Sequence, residues 1–211
     1  MLRLVMLSLE FSALFVGVPL LVYYRLLPNL PIPYLLFAAL AAFLVLRSDL
    51  SFDFSHLVSW NAVHSQLLPL LVRDALFLAF LGLAVRVFSP QLLFSFLKRA
   101  PGLWVLVMVL YPLVSVYPQE LIYRAFFFHR YQPLFGNGLL MIAASALAFG
   151  FVHIIFGNWL AVLLCIIGGI LFSFTYQQSG SLLFTCLDHA IFGNFIFTIG
   201  LGQFFYHGSR V

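Results

Sequence analysis

With 211 residues, 64% of them hydrophobic and only 8% charged, the chain departs from an ordinary soluble domain, in which about a quarter of residues carry charge. A mean hydropathy of +1.12 and a net charge of +4 describe a polytopic membrane protein whose surroundings are the lipid bilayer. The basic residues sit singly at segment ends, with no basic run interleaved with aromatics, which excludes a nucleic-acid partner.

Residues 4–24 form an apolar stretch of spanning length. Glu10 interrupts it and no small-x-small cleavage site follows, so a retained first span is expected rather than a removed signal. Residues 25–33, with three prolines, read as a loop. A second span is expected over residues 34–46, short enough that it either borrows Ile32 and Pro33 or is tilted and partly shielded. Residues 49–74 loosen in composition and read as an interfacial connection with aromatic anchors. His56 and His64 lie within it and read as interfacial polar groups, with metal ligation as the alternative. A third span is expected over residues 75–88, followed by a hinge at Pro90 and Lys98-Arg99-Ala100-Pro101.

That hinge divides a single membrane domain, residues 1–211, into accessory N-terminal helices (1–101) and a catalytic core (102–202). The core opens with an apolar run that leads to Pro118, read as the first turn of a helix carrying Glu120 and Arg124. Turns at residues 129–138, 157–158 and 177–180 separate further spans over 139–156, 159–176 and 181–201, and the chain then runs into Phe204-Phe205-Tyr206. The expected fold is all-α, a bundle of about seven transmembrane helices. Basic residues, counted through Arg210, divide almost evenly between the two faces and give no orientation. Cys165 and Cys186 fall in apolar segments and read as buried thiols.

Three polar points interrupt the apolar core: Glu120 with Arg124, His153, and His189 with Asn194. A charge at mid-bilayer costs roughly 2.5–3.5 kcal/mol on insertion scales, so such residues are usually functional or paired. Each point alone could be a helix-packing device. Together, from three helices, they supply what amide hydrolysis requires: a proton acceptor for water, donors for an oxyanion and an acid for the leaving amine. The chain has no G-x-S-x-G elbow, H-E-x-x-H helix or P-loop.

The ordered set Glu-x-x-x-Arg (Glu120, Arg124), Phe-x-x-x-His (Phe149, His153) and a His-containing last helix (His189 with Asn194) resembles the CPBP, or ABI, intramembrane proteases. That group includes the CAAX prenyl endopeptidases. The resemblance covers about residues 102–202, and its flanking text is similar to a bacterial branch, which implies a bacterial inner membrane. It implies an endopeptidase acting on a membrane protein segment or a lipid-modified peptide. Glu120 would activate water, His153 would hold that water or share its proton, and His189 and Asn194 would donate to the oxyanion. Arg124 would orient Glu120, and Phe149 would wall the site. The family usually begins Glu-Glu, where this chain has Gln119, and usually places Asn four residues after His, where it has Gly193. No cofactor is expected; zinc held by Glu120, His153 and His189 is the alternative. Asp188, about 100° around an ideal helix from His189, reads as an interfacial anchor. The rival readings are a non-catalytic membrane binding, immunity or assembly factor on the same scaffold, and a small proton-relay transporter.

Overall fold

The computed structural model describes residues 1–205, apart from the side chains of residues 61 and 62; Tyr206 and Arg210 lie outside the described residues. Among those residues there is no strand. Six helices are long and apolar enough to cross a membrane: α1 (Leu2–Tyr23), α2 (Pro31–Ser48), α3 (Val63–Phe88, within a helix that begins at Trp60), α4 (Pro101–Arg130), α5 (Leu139–Phe156) and α6 (Trp159–Ser179). A shorter apolar helix, α7 (Leu182–Thr198), completes the bundle. The protein is an all-α integral membrane bundle.

One open alternative is decided and two expectations change. The second span begins earlier, because Pro31 and Pro33 occupy the first turn of α2, where a missing N–H leaves no hydrogen bond unmade. The third extends back through the stretch assigned to a connection. Arg73 and Asp74 are tolerated inside it because Arg73 pairs with both Asp74 and Asp188, with separations of 2.7 Å from its Nη2 to an oxygen of each carboxylate. Finally, Pro118 does not start a helix but lies inside the 30-residue α4.

Two interior prolines, Pro19 and Pro118, have a local signature that Pro69 of α3 lacks. A widened π-type segment, Ala13–Gly17, ends two residues before Pro19, and another, Pro112–Val116, ends two residues before Pro118. A proline ring clashes with the carbonyl four residues back, and widening that turn moves the carbonyl aside. A third π-type segment, Leu121–Phe126, follows Glu120 directly. The Ser145 hydroxyl of α5 donates to the Tyr123 carbonyl inside that segment at 2.7 Å, so the irregular backbone is satisfied by a neighbouring helix.

Two contacts fix the site helices. α5 and α6 approach closely at Gly169, where a Cβ would come 2.9 Å from the Ala146 Cα, the small-residue packing that brings membrane helices together. α1 lies against the C-terminal part of α4: the Phe15 ring packs edge-on to Phe127, with centroids 5.1 Å apart. Arg130 also grips Glu10 through two nitrogens at 3.0 and 2.6 Å, and the Tyr131 hydroxyl donates to the same carboxylate. Outside the spans, hydrogen bonds from Ser51 and then His129 hold the Asp49 carboxyl below its usual range. His56 places Nδ1 3.0 Å from the Gly180 carbonyl, joining the α2–α3 connection to the α6–α7 turn.

Candidate active site

Glu120 and Arg124 stand one turn apart in α4, and both are fully buried, with 0% exposure. Arg124 Nε lies 3.1 Å from Glu120 Oε2, but the two do not meet hydrogen-bond alignment, so the pair is held by charge. The guanidinium also lies over the rings of Phe149 and Phe172, 5.0 and 5.8 Å from their centroids, and points Nη2 at the Gly169 carbonyl at 3.5 Å. Those faces attract a desolvated cation and account for its placement.

The other carboxylate oxygen is taken by α7. His189 Nδ1 lies 2.7 Å from Glu120 Oε1, and a carboxylate at that distance makes Nδ1 the protonated nitrogen. Nε2 is then the free acceptor, and the Tyr111 hydroxyl of α4 donates to it at 3.1 Å. The imidazole is stacked on Phe172, with centroids 4.4 Å apart and planes 17° from parallel, which fixes the direction of both nitrogens.

His153 ends the regular part of α5. Its Nδ1 donates to the Phe149 carbonyl at 2.7 Å, leaving Nε2 without its proton and able to accept. The Phe149 ring lies between the two imidazoles, 5.0 Å from His153 and 5.6 Å from His189 by centroids. A cavity of about 1040 Å³ opens against this wall. His153, His189, Phe149, Gln119 and Tyr111 line it, within otherwise largely apolar surroundings, whereas Glu120 lies behind His189 and does not. Gln119 donates to the Ser115 hydroxyl at 2.6 Å.

The structure thus brings Glu120, Arg124, His189, Phe149 and His153 together. Asn194 is a correction. Its amide nitrogen points at the Met108 carbonyl, 3.3 Å away, and it lies outside the cavity wall. Five residues on a helix amount to about 500°, which turns Asn194 about 140° from His189. Asp188 is a second correction. It is fully buried, with Oδ1 on Arg73 and Oδ2 accepting from the Thr175 hydroxyl at 2.6 Å. Tyr111 was not singled out from the sequence; its only signal there is a hydroxyl within an apolar run nine residues before Glu120.

A zinc ion would need Glu120, His153 and His189 to converge on one point. Among the described residues, no three His, Cys, Asp or Glu side chains are arranged to hold a metal. One Glu120 oxygen is taken by His189 itself and the other faces a guanidinium, which opposes a dication. The donor set does not fit zinc in this arrangement.

Residues 101–195 match the family of Rce1-like type II CAAX prenyl endopeptidases. No curated protein and no solved structure matches the chain.

Proposed function

We propose, from the similarity of residues 101–195 to the Rce1-like type II CAAX prenyl endopeptidases, that this membrane protein is an endopeptidase in which Glu120 activates water through the ring of His189. The observation that supports this most is the short contact of Glu120 with Nδ1 of His189, a residue that itself lines the cavity. Glu120 holds the imidazole in one tautomer and stabilises the positive charge that forms when Nε2 takes a proton. The hydroxide so produced adds to the scissile carbonyl. The carbon–nitrogen bond then breaks as Nε2 returns the proton to the leaving amine. His153, through its free Nε2, helps to hold the water. Arg124 keeps Glu120 oriented, and Phe149 separates the two imidazoles and excludes bulk water.

The substrate is a membrane-embedded or lipid-modified peptide, since the reactive face opens onto a largely apolar cavity. The similarity of the motif text to a bacterial branch favours the inner membrane of a bacterium. No cofactor enters the reading, and the pairing of Glu120 with Arg124 supports that. The test uses the full chain in liposomes with an internally quenched farnesylated peptide and an unmodified transmembrane peptide. Cleavage of either that persists in chelator is the expected result. Inhibition by chelator that added zinc reverses would overturn the metal-free mechanism. Failure to cleave both would favour a non-catalytic membrane binding factor on the same scaffold.

A further inference from the structure

Gly193 follows His189 by four residues, so a side chain there would lie one turn along α7 on the same face. A Cβ built on Gly193 would overlap the ring and hydroxyl of Tyr111, so the space that such a side chain would claim is already filled from α4. The Tyr111 hydroxyl lies 3.1 Å from His189 Nε2, and both residues line the cavity. Its ring is wedged edge-on between His189 and Phe197, with centroids 6.1 and 5.2 Å away. Asn194, the neighbouring amide, is turned to Met108.

From this arrangement we infer that Tyr111 is a catalytic residue: its hydroxyl is the donor that the site offers to the carbonyl oxygen of the bond being cut. The inference rests on the endopeptidase reading. In the free protein the hydroxyl donates to His189 Nε2. When a peptide carbonyl enters, the hydroxyl turns to it, and Nε2 becomes available to accept a proton from water. As the water oxygen bonds to the carbonyl carbon, the carbonyl π electrons move to oxygen. The resulting oxyanion accepts the Tyr111 hydrogen bond while the phenol keeps its own proton. When the carbon–nitrogen bond breaks, the double bond to oxygen re-forms and the hydroxyl returns to Nε2. A small residue one turn after His189 and a tyrosine in α4 are thus two halves of one device.

The experiment has two arms. In the first, Tyr111→Phe is compared with wild type on the farnesylated peptide. Loss of one oxyanion donor lowers kcat by about 10²–10³-fold, with KM nearly unchanged, since the donor acts on charge that develops only in the transition state. Equal kcat, or a fall carried by KM alone, would overturn the assignment. The second arm needs no turnover: nitrogen NMR of histidine-labelled protein reads the His189 tautomer, assigned by its loss in His189→Gln. Wild type is expected to show Nδ1 protonated and Nε2 as an acceptor, with the Nε2 resonance shifted in Tyr111→Phe. A proton on Nε2 in neutral wild type, or identical spectra in the two proteins, would overturn the hydrogen bond from which the inference begins. If wild type cleaves nothing, the endopeptidase reading and the carbonyl-donor role fall together, while the spectra still decide whether Tyr111 caps His189.

Discussion

The bundle buries charge in two places, and the two are built differently. In one, Glu120, Arg124 and His189 join α4 to α7, and the chain of contacts ends at the hydrogen bond between His189 and Tyr111, two residues that line the cavity. In the other, Arg73, Asp74, Asp188 and Thr175 join α3, α7 and α6. There both Asp188 oxygens are taken, Arg73 is shared between two carboxylates, and none of the four residues lines the cavity. Both clusters carry the desolvation cost of buried ions. Only the first includes side chains, those of His189 and Tyr111, that line space a substrate could occupy. Burial of charge in a membrane helix therefore does not by itself identify a reactive centre; access to a cavity separates the two cases.

Substitution can separate them. The largest expected effect on chemistry is from Glu120→Gln, which removes the charge that drives His189 and should lower turnover by about 10²–10⁴-fold, the range general acid–base catalysis supplies. Arg73→Met should do the reverse. It leaves two buried carboxylates without their shared cation, and breaking such a cluster costs about 3–5 kcal/mol, toward the lower end here because Arg73 is partly exposed. Turnover per folded molecule should be unchanged. Thermal unfolding in detergent alongside the cleavage assay reads both; a full activity loss in folded Arg73→Met would dissolve the distinction.

The two clusters also differed in how far the sequence disclosed them. Glu120 and Arg124 were legible because four-residue spacing puts opposite charges on one face of a helix, and that holds even where the turn is widened. His153 and His189 were legible as costly residues within apolar spans. The second cluster was obscured by the polar residues that precede it: Asp53, His56, Trp60, Asn61, His64 and Gln66 made residues 49–74 resemble an interfacial connection, whereas Arg73 pairs inside the span with its neighbour Asp74 and with Asp188, 115 residues away. Tyr111 was hidden for a similar reason, since its meaning depends on Gly193 on another helix. Pro118 misled in the opposite direction, because a widened turn lets α4 continue through it. The local pattern was informative for Glu120 and Arg124, whose pairing lies within one helix, and less so where a partner such as Asp188 or Gly193 is brought by the fold.

A smaller effect is expected at Gly193. Adding only a methyl, Gly193→Ala displaces the Tyr111 ring, and overpacking of this kind typically costs about 1–3 kcal/mol. The loss should largely disappear when Tyr111→Ala is present, because the methyl then meets space. A double-mutant cycle on unfolding midpoints measures the coupling. Strictly additive losses would mean that the two residues do not compete for the same volume.

The smallest effect is expected at Asn194, and its smallness is what makes it informative. The amide makes one long hydrogen bond to the Met108 carbonyl, and its own oxygen is buried without a partner. A net hydrogen bond contributes about 0.5–1.5 kcal/mol, and here removal of an unsatisfied acceptor offsets part of that, so Asn194→Ala should barely shift stability. Activity should follow. The amide sits on the far side of α7 from the His189 ring and could reach a carbonyl in the cavity only if the helix rotated by about 140°. Such a rotation would also pull His189 Nδ1 from Glu120, breaking the contact on which the proposed chemistry depends. The same substrate concentration series run on Asn194→Ala and Tyr111→Phe therefore distinguishes two donors on adjacent helices. A large kcat loss in the asparagine variant with none in the tyrosine variant would mean that α7 turns when substrate binds.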